Sequence, residues 1–194
     1  MLSNIFHTIV QFFIEIAETA ILAILIFLAL YLFLVRPHEV RGDSMLPNFH
    51  EGDFLLTEMV GYNLLGRMPQ RGDVIVFHSP EQPKLDFIKR IIGLPNEKIK
   101  LENGRVYITN SENLEGFLLE EPYLKEGTQT EGRRTIKEGE IFSIGDSYVV
   151  FGDNRERSSD SREWGAVSKG AIVGRVWLRY WPPQSFSLLA APNY

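Results

Sequence analysis

A long uncharged segment near the N-terminus limits what this chain can fold into. The seventeen residues of Thr19–Val35 include no charged side chain, and as a helix they would extend about 25 Å. That length is at the lower limit for crossing a bilayer, and starting the segment at Ile9 makes it long enough. The extension includes Gln11, Glu15 and Glu18. Together with His7, which precedes it, these polar residues lie on one face of a helix. We therefore predict a polar-striped, interfacial lead-in and one membrane anchor within residues 1–35.

Two other interpretations of this segment fit the sequence less well. A cleaved signal peptide would begin with basic residues and end at small ones, whereas the first Lys or Arg is Arg36 and Pro37-His38 follows it. A buried core helix would need a partner, and the chain has no second apolar run of this length. The positive-inside rule favours a cytoplasmic location for the side with Arg36 and Arg41. Long domains translocate largely regardless of charge, so the sequence leaves the orientation open.

The composition after residue 35 excludes several classes of function. All 20 Lys and Arg lie there with 23 of the 25 Asp and Glu, and the resulting net charge of −3 argues against a nucleic-acid partner. The absence of Cys excludes thiol catalysis and Cys-ligated zinc. The four His have no metal-ligand spacing, and there is no glycine-rich phosphate-binding motif, so we expect no metal and no cofactor. A nucleophile must therefore be Ser or Thr, with Lys, Asp or Glu as its base.

Short apolar segments between turn residues predict an all-β architecture after the helix. The clearest pattern is KIKLENGRVYIT, where Asn103-Gly104 between two alternating segments favours a type I′ hairpin turn. Residues 111–140 are acidic and weakly periodic, so we predict a small inserted lobe there and a main β domain formed by 36–110 and 141–194. The predicted strands are Phe54–Met59, Val74–Phe77, Leu85–Ile92, Glu97–Leu101, Arg105–Thr109, Tyr148–Phe151 and Ile172–Trp181.

Ser44 is the first candidate nucleophile. It lies in the segment Gly42–Pro47, directly after the apolar run, where Gly42 lets the backbone come close to a substrate and Pro47 fixes the exit from the turn. A plain surface turn explains the same composition. On these residues alone both interpretations stay open.

Lys89 is the candidate base. Strand alternation places it on one face with three apolar residues, Leu85, Phe87 and Ile91. If that face is buried, desolvation lowers the pKa of the amine, as a base near neutral pH requires. The alternative is a lysine whose stem covers apolar surface while its head reaches water.

A third cluster, Gly152–Gly165, follows the predicted strand Tyr148–Phe151. Seven charges of mixed sign in fourteen residues are typical of a solvated loop. Its Ser and Asp residues are also suited to orienting a base, and an Asp160–Arg162 pair to bracing a site, but the spacing does not decide between these uses.

Together these segments resemble the bacterial type I signal peptidases, which are membrane-bound Ser/Lys peptidases. The resemblance depends on several motifs that occur in the family's order and cover essentially the whole chain. After the anchor they are Gly42–Pro47, Gly52-Asp53, Arg71–Phe77, Asp86–Glu97, and Gly152–Arg155 continuing through Ser158, Asp160, Ser161, Arg162 and Trp164-Gly165.

The resemblance implies a fold and a set of roles. The fold is an N-terminal transmembrane helix followed by a mostly antiparallel β catalytic domain with a small inserted β lobe. Ser44 is implied as the nucleophile of an acyl-enzyme mechanism and Lys89 as its general base. Ser158 would hydrogen-bond and orient the lysine amine, and Asp160 and Arg162 would form a structural pair near the site.

The resemblance also implies the substrate and the location. The substrates would be exported preproteins, cut after small residues at −1 and −3, with pockets lined by Val40, Met45, Phe87 and Ile88. The enzyme would be a single-pass protein of the plasma membrane, in contact with the bilayer, with its catalytic domain on the extracytoplasmic face. No nucleic acid or metal partner is implied.

The oxyanion site departs from the pattern of many relatives. The position two before the nucleophile often carries a hydroxyl in the family, but here it is Gly42. The backbone N–H of Ser44 remains as a donor. Since loss of one oxyanion donor can cost about 3 kcal/mol of transition-state stabilisation, the source of a second donor is left open.

Two other functions are compatible with parts of the sequence. Self-cleaving repressors share Ser/Lys chemistry, but they need a DNA-binding module, and residues 1–35 are too apolar to form one. A non-catalytic, membrane-anchored module that binds leader peptides would be expected to lack Ser44, Lys89 or Ser158, and all three are present.

Overall fold

The N-terminal segment forms one continuous helix. The computed structural model describes residues 2–59, 61 and 66–192, and helix α1 comprises Leu2–Leu34, about 50 Å at 1.5 Å per residue. Within it, Ile9–Leu28 is long and apolar enough to cross a membrane by length and composition, and none of its most apolar window is buried by the rest of the chain. The predicted N-terminal apolar helix is confirmed, and the polar-striped lead-in belongs to the same helix as the anchor.

Among the described residues, seven antiparallel strands form a sheet that follows the helix directly. Along one path its strand order is β1-β2-β10-β3-β4-β9, and β11 pairs with the far part of β10. Because β1 begins at the residue after α1, the helix joins this sheet without a linker. Its strands are β1 (Val35–Glu39), β2 (Phe54–Glu58), β3 (Val74–His78), β4 (Asp86–Gly93), β9 (Val149–Phe151), β10 (Ile172–Trp181) and β11 (Ser187–Leu188).

A second sheet has four strands in the order β7-β6-β5-β8. The turn between β5 and β6 has positive φ at both central residues, 53° at Asn103 and 71° at Gly104, which confirms the predicted type I′ hairpin. The strands are β5 (Lys98–Glu102), β6 (Arg105–Thr109), β7 (Phe117–Leu118) and β8 (Ile141–Ser143). The small sheet is thus wider than the predicted insertion at 111–140, since the β5–β6 hairpin supplies its two central strands. The division of the chain into domains stays a prediction.

Three clusters of buried apolar side chains support the site. The first lies under the small sheet, around Ile99 and Ile108. The second fixes the segment after β1 through Val40, Met45 and Phe49. The third, with members such as Ile91 and Val150, holds β4 against β9. The candidate nucleophile and base therefore each lie on a packed apolar cluster.

The helical elements after α1 are short. Helix α2 comprises Ser161–Trp164 and is capped by the Asp160 side chain, which accepts from the N–H of Arg162. Two 3₁₀ turns comprise Lys169–Ala171 and Pro183–Ser185.

Candidate active site

Ser44 lies in a loop between β1 and β2 that is fixed at both ends. Val40 N–H donates to Asp53 O over 2.8 Å, and Gly52 N–H donates to Val40 O over 3.0 Å. Gly42 has φ +82°, which favours glycine at this turn and would strain any residue carrying a hydroxyl side chain. The loop is thus held by backbone hydrogen bonds at both ends, with Met45 and Phe49 buried, Ser44 half-buried and residues 41–43 exposed.

The loop after β9 clasps the backbone of the Ser44 loop. Asn154 N–H donates to Ser44 O over 3.0 Å, and Asn154 Nδ2 donates to Asp43 O over 3.0 Å. Gly152 permits the approach, because a Cβ there would lie 2.4 Å from Ser44 O and 2.2 Å from Ser158 Oγ. Two segments more than 100 residues apart are therefore held in backbone contact at Ser44.

Lys89 is buried in β4 with its amine directed at Ser44. Lys89 is only 4% exposed. Its Nζ lies 2.7 Å from Ser44 Oγ and 3.0 Å from Ile88 O. The amine also lies 5.5 Å from the centre of the Phe87 ring. Of the apolar residues expected on this face, Ile91 is fully buried, whereas Leu85 is 49% exposed. Lysine at this position does not extend to water.

Burial also changes the acidity of the amine. Desolvation lowers the pKa of Lys89 to about 8, and the carboxylates of Asp160 and Asp153 oppose that shift. A substantial fraction of the amine is therefore neutral near physiological pH, which is the form that accepts a proton.

Asp160 and Arg162 form a buried, bidentate ion pair. Arg162 Nε and Nη2 each lie 2.9 Å from one Asp160 carboxylate oxygen, and Gly152 N–H donates to the same carboxylate over 3.1 Å. Burial alone would raise the pKa of Asp160, but Arg162 holds that pKa below its usual value. The pair braces the loop that clasps Ser44.

Ser158 is fully buried beside this pair. Among the described residues Ser158 Oγ has no hydrogen-bond partner. The hydroxyl nevertheless lies near enough to the Asp160 carboxylate to help lower the pKa of Asp160. The expected hydrogen bond from Ser158 to Lys89 is therefore not formed in this structure. The amine is directed instead at Ser44 Oγ and Ile88 O.

An open cleft of about 270 Å³ lies against Ser44 and Lys89. Within the part of the chain that the structure describes, residues 86–89 of β4 pair only with β3 along the cleft, since pairing with β9 begins at Arg90. One backbone edge of β4 is thus free beside the candidate dyad. The lining includes all four residues expected at substrate pockets: Val40, Met45, Phe87 and Ile88.

Several residues of the site were not assigned roles from the sequence. Glu39, Arg41, Asp86 and Ser159 also line the cleft. Asn154 contacts the Ser44 loop, and the sequence marked it as part of the Gly152–Arg155 motif without giving it a role.

A β domain that follows an apolar helix and brings a serine hydroxyl against a buried lysine amine has the groups of a membrane-anchored hydrolase. A family model described as "Signal peptidase, peptidase S26" matches residues 13–181. Signal peptidase IB of Staphylococcus aureus (strain COL) is 32% identical over 182 residues, which cover 89% of this chain and 93% of the relative. A probable signal peptidase I-2 of Synechocystis is 31% identical over 180 residues, which cover 90% of this chain and 76% of that relative.

A crystal structure of a signal peptidase I from Enterococcus faecalis is similar to this chain with a TM-score of 0.45 and 28% identity. The match covers 56% of this chain and 97% of the other. The family match and the curated relatives show that this chain belongs to the signal peptidase family, peptidase S26, as the resemblance in its sequence implied. The apolar N-terminal helix and the family together indicate a membrane-anchored enzyme.

Proposed function

We propose that this chain is a membrane-bound serine endopeptidase that removes N-terminal signal peptides from exported preproteins. The relatives described above are signal peptidases, and an apolar helix precedes the β domain of this chain. The observation that carries the proposal is the contact of 2.7 Å between the buried Lys89 amine and Ser44 Oγ. A non-catalytic binding module would have no need to bury a lysine amine against a serine hydroxyl.

The chemistry follows from that contact. With Lys89 neutral, the Ser44 hydroxyl donates its hydrogen to Nζ while Oγ attacks the scissile carbonyl carbon. Lys89 then protonates the leaving amine as the C–N bond breaks, and an acyl-enzyme remains on Ser44. Water, deprotonated by the same amine, attacks the ester, and Ser44 recovers its proton from Lys89.

The oxyanion site in this proposal is formed at Ser44 and Gly42. The Ser44 N–H makes no backbone hydrogen bond among the described residues, so it is available to the developing oxyanion. Gly42 offers no hydroxyl, and the left-handed backbone at this residue suits glycine. The turn that exposes the Ser44 N–H thus disfavours the side-chain donor that many relatives are expected to use.

Substrate selection in the proposal depends on the free edge of β4. An extended preprotein segment would add as a strand along residues 86–89, with backbone hydrogen bonds for affinity. Its side chains at −1 and −3 would enter shallow pockets formed by Val40, Met45, Phe87 and Ile88, which favour small residues.

Ser158, Asp160 and Arg162 have supporting roles in the proposal. The Asp160–Arg162 pair fixes the loop that carries Ser158. Ser158 Oγ, buried without a partner among the described residues, would accept a hydrogen bond from Lys89 once Ser44 is acylated. That bond would keep the amine oriented during hydrolysis of the ester.

The test uses the detergent-solubilised full chain and a preprotein with Ala at −3 and −1. Ser44→Ala and Lys89→Ala are assayed beside the wild type, and mass spectrometry locates the cut. Cleavage after the −1 Ala that both substitutions abolish is the expected result. A folded wild-type chain that binds the preprotein without cutting it would instead identify a leader-peptide-binding module.

A further inference from the structure

Tyr123, in the excursion between the two edge strands of the small sheet, contacts both segments that carry the candidate dyad. Its ring lies 4.0 Å from the Arg90 guanidinium, and its backbone O accepts from Asn48 Nδ2 over 2.8 Å. Arg90 is the residue after Lys89, and Asn48 lies four residues after Ser44. One residue of the excursion therefore joins the strand of the base to the loop of the nucleophile.

Asp153 completes this set of contacts. Its carboxylate accepts from Arg90 Nε over 2.8 Å and Nη2 over 2.7 Å, and from Asn48 Nδ2 over 2.8 Å. Alternation along β4 directs Arg90 and Lys89 to opposite faces, so these contacts lie outside the cleft. We call Asn48, Arg90, Tyr123 and Asp153 the Tyr123 cluster.

The excursion itself holds Tyr123 in place. The Tyr123 hydroxyl donates to Glu121 Oε1 over 2.7 Å, and Glu121 pairs with the buried guanidinium of Arg155. Arg155 Nε donates to Gly152 O over 3.1 Å, in the loop that clasps Ser44. Because each buried charge has a partner, the arrangement can exclude water without leaving an unpaired ion.

We propose that Tyr123 is a positioning residue for the peptidase reaction. Its ring lies over the Arg90 guanidinium and its carbonyl accepts from Asn48, and together these contacts set the separation between β4 and the Ser44 loop. The inference rests on the proposed function, since it assumes that Ser44 and Lys89 react. Misplacement of reacting groups by about 1 Å can reduce a rate by about 100-fold, so a residue outside the cleft can control turnover.

The experiment compares three variants of the full-length, detergent-solubilised chain. Tyr123→Phe keeps the ring and the backbone carbonyl, and we expect a kcat within about threefold of wild type, because only the bond to Glu121 is lost. Tyr123→Leu removes the aromatic face from Arg90 and should lower kcat at least about tenfold. Its KM for the preprotein should change far less, since Tyr123 does not line the cleft. Tyr107→Leu makes the same substitution on the outer face of β6 and should leave kcat unchanged.

The pH profile separates positioning from general damage. When Tyr123→Leu loosens the cluster, water gains access to Lys89 and the pKa of its amine rises towards its ordinary value. The acidic limb of the kcat/KM profile should therefore move to higher pH in Tyr123→Leu but not in Tyr107→Leu. Thermal unfolding of each variant, measured in parallel, shows whether it is folded.

Asn48→Ala provides a second route to the same test, including the case in which Tyr123→Leu does not fold. It removes the hydrogen bonds of Asn48 Nδ2 to Tyr123 O and to Asp153, and it should also lower kcat with little change in KM. A wild-type kcat and pH profile in folded Tyr123→Leu or Asn48→Ala, or an equal loss in Tyr107→Leu, would overturn the inference. Absence of cleavage by the wild type would count against the proposed function instead.

Discussion

The chemistry proposed for Lys89 depends on the pKa of a single amine. Burial lowers that pKa to about 8, and a general base acts only in its neutral form. We expect kcat/KM to rise by about fivefold from pH 7 to pH 8, as the neutral fraction rises from about a tenth to a half, and then by about twofold more before it levels off above about pH 9. The measurement is a pH profile of preprotein cleavage, with unfolding monitored at each pH. A flat profile over this range would show that Lys89 does not titrate as the base.

Gly152 is a residue where a single added methyl group should disturb the Ser44 loop directly. A methyl group there would lie 2.4 Å from the backbone O of Ser44, which cannot move without moving the proposed nucleophile. We expect Gly152→Ala to destabilise the fold by about 1–3 kcal/mol and to lower kcat/KM at least about tenfold. Gly170→Ala is the matched control, because a Cβ at Gly170 meets nothing within 4 Å. Equal activity of the two variants would contradict this account of the clasp.

At the scale of elements, β4 is tied to the loop after β9 by one buried ion pair. Arg90 and Asp153 have side chains that are 7% and 0% exposed, and removal of one partner leaves an uncompensated buried charge. We expect Asp153→Ala to lower the free energy of unfolding by about 3 kcal/mol.

Glu102→Ala is the control for this prediction, because the Lys100–Glu102 pair is partly exposed, with side chains 34% and 44% accessible. Its loss should cost less than about 1 kcal/mol. Urea unfolding of the detergent-solubilised variants compares the two directly. Similar losses in both would show that burial does not set the strength of the Arg90–Asp153 pair.

Most elements could be predicted from the sequence, because alternation and turn chemistry are local signals. The strands around Asn103-Gly104 and the long strand Ile172–Trp181 are confirmed with the predicted bounds or within one residue. Strand β1 was missed because Val35–Glu39 contains Pro37 and charged residues and is largely exposed, so it shows no alternation. Strands of two or three residues, such as β7 and β11, are too short to show a period.

The site was predictable only where a motif marked it. Ser44 and Lys89 lie 45 positions apart. The local sequence alone was also compatible with a surface turn at Ser44 and a solvent-exposed amine at Lys89, and only the family resemblance implied catalytic roles for both. The contacts of Asn48 with Tyr123 and Asp153 join residues 75 and 105 positions apart. No local pattern encodes such pairs, because they depend on how two sheets pack and on which buried charges find partners. The expected Ser158–Lys89 bond shows the same limit, since a motif does not fix a rotamer.

At the scale of the whole molecule, the anchor limits where the proposed nucleophile can act. Helix α1 ends at Leu34 and Ser44 follows ten residues later, so even a fully extended chain would place Ser44 within about 35 Å of the helix end. The intervening strand β1 is part of the main sheet, which shortens that reach. The proposed function therefore requires a preprotein to present its cleavage site close to the membrane surface, on the side that holds the β domain.

The proposed function also predicts which face of the membrane carries the β domain. Residues 36–194 carry a weak negative charge. Arg36 and Arg41 next to the helix favour a cytoplasmic location of the β domain by the positive-inside rule, but long domains translocate largely regardless of charge. Exported preproteins expose their cleavage sites after translocation, so the proposed function requires the β domain on the extracytoplasmic face. We expect protease added to intact cells, stripped of their wall where necessary, to digest the β domain while a tag before Leu2 stays protected until the membrane is permeabilised. A β domain that resists protease before permeabilisation and is digested afterwards would place it in the cytoplasm and contradict the proposed orientation.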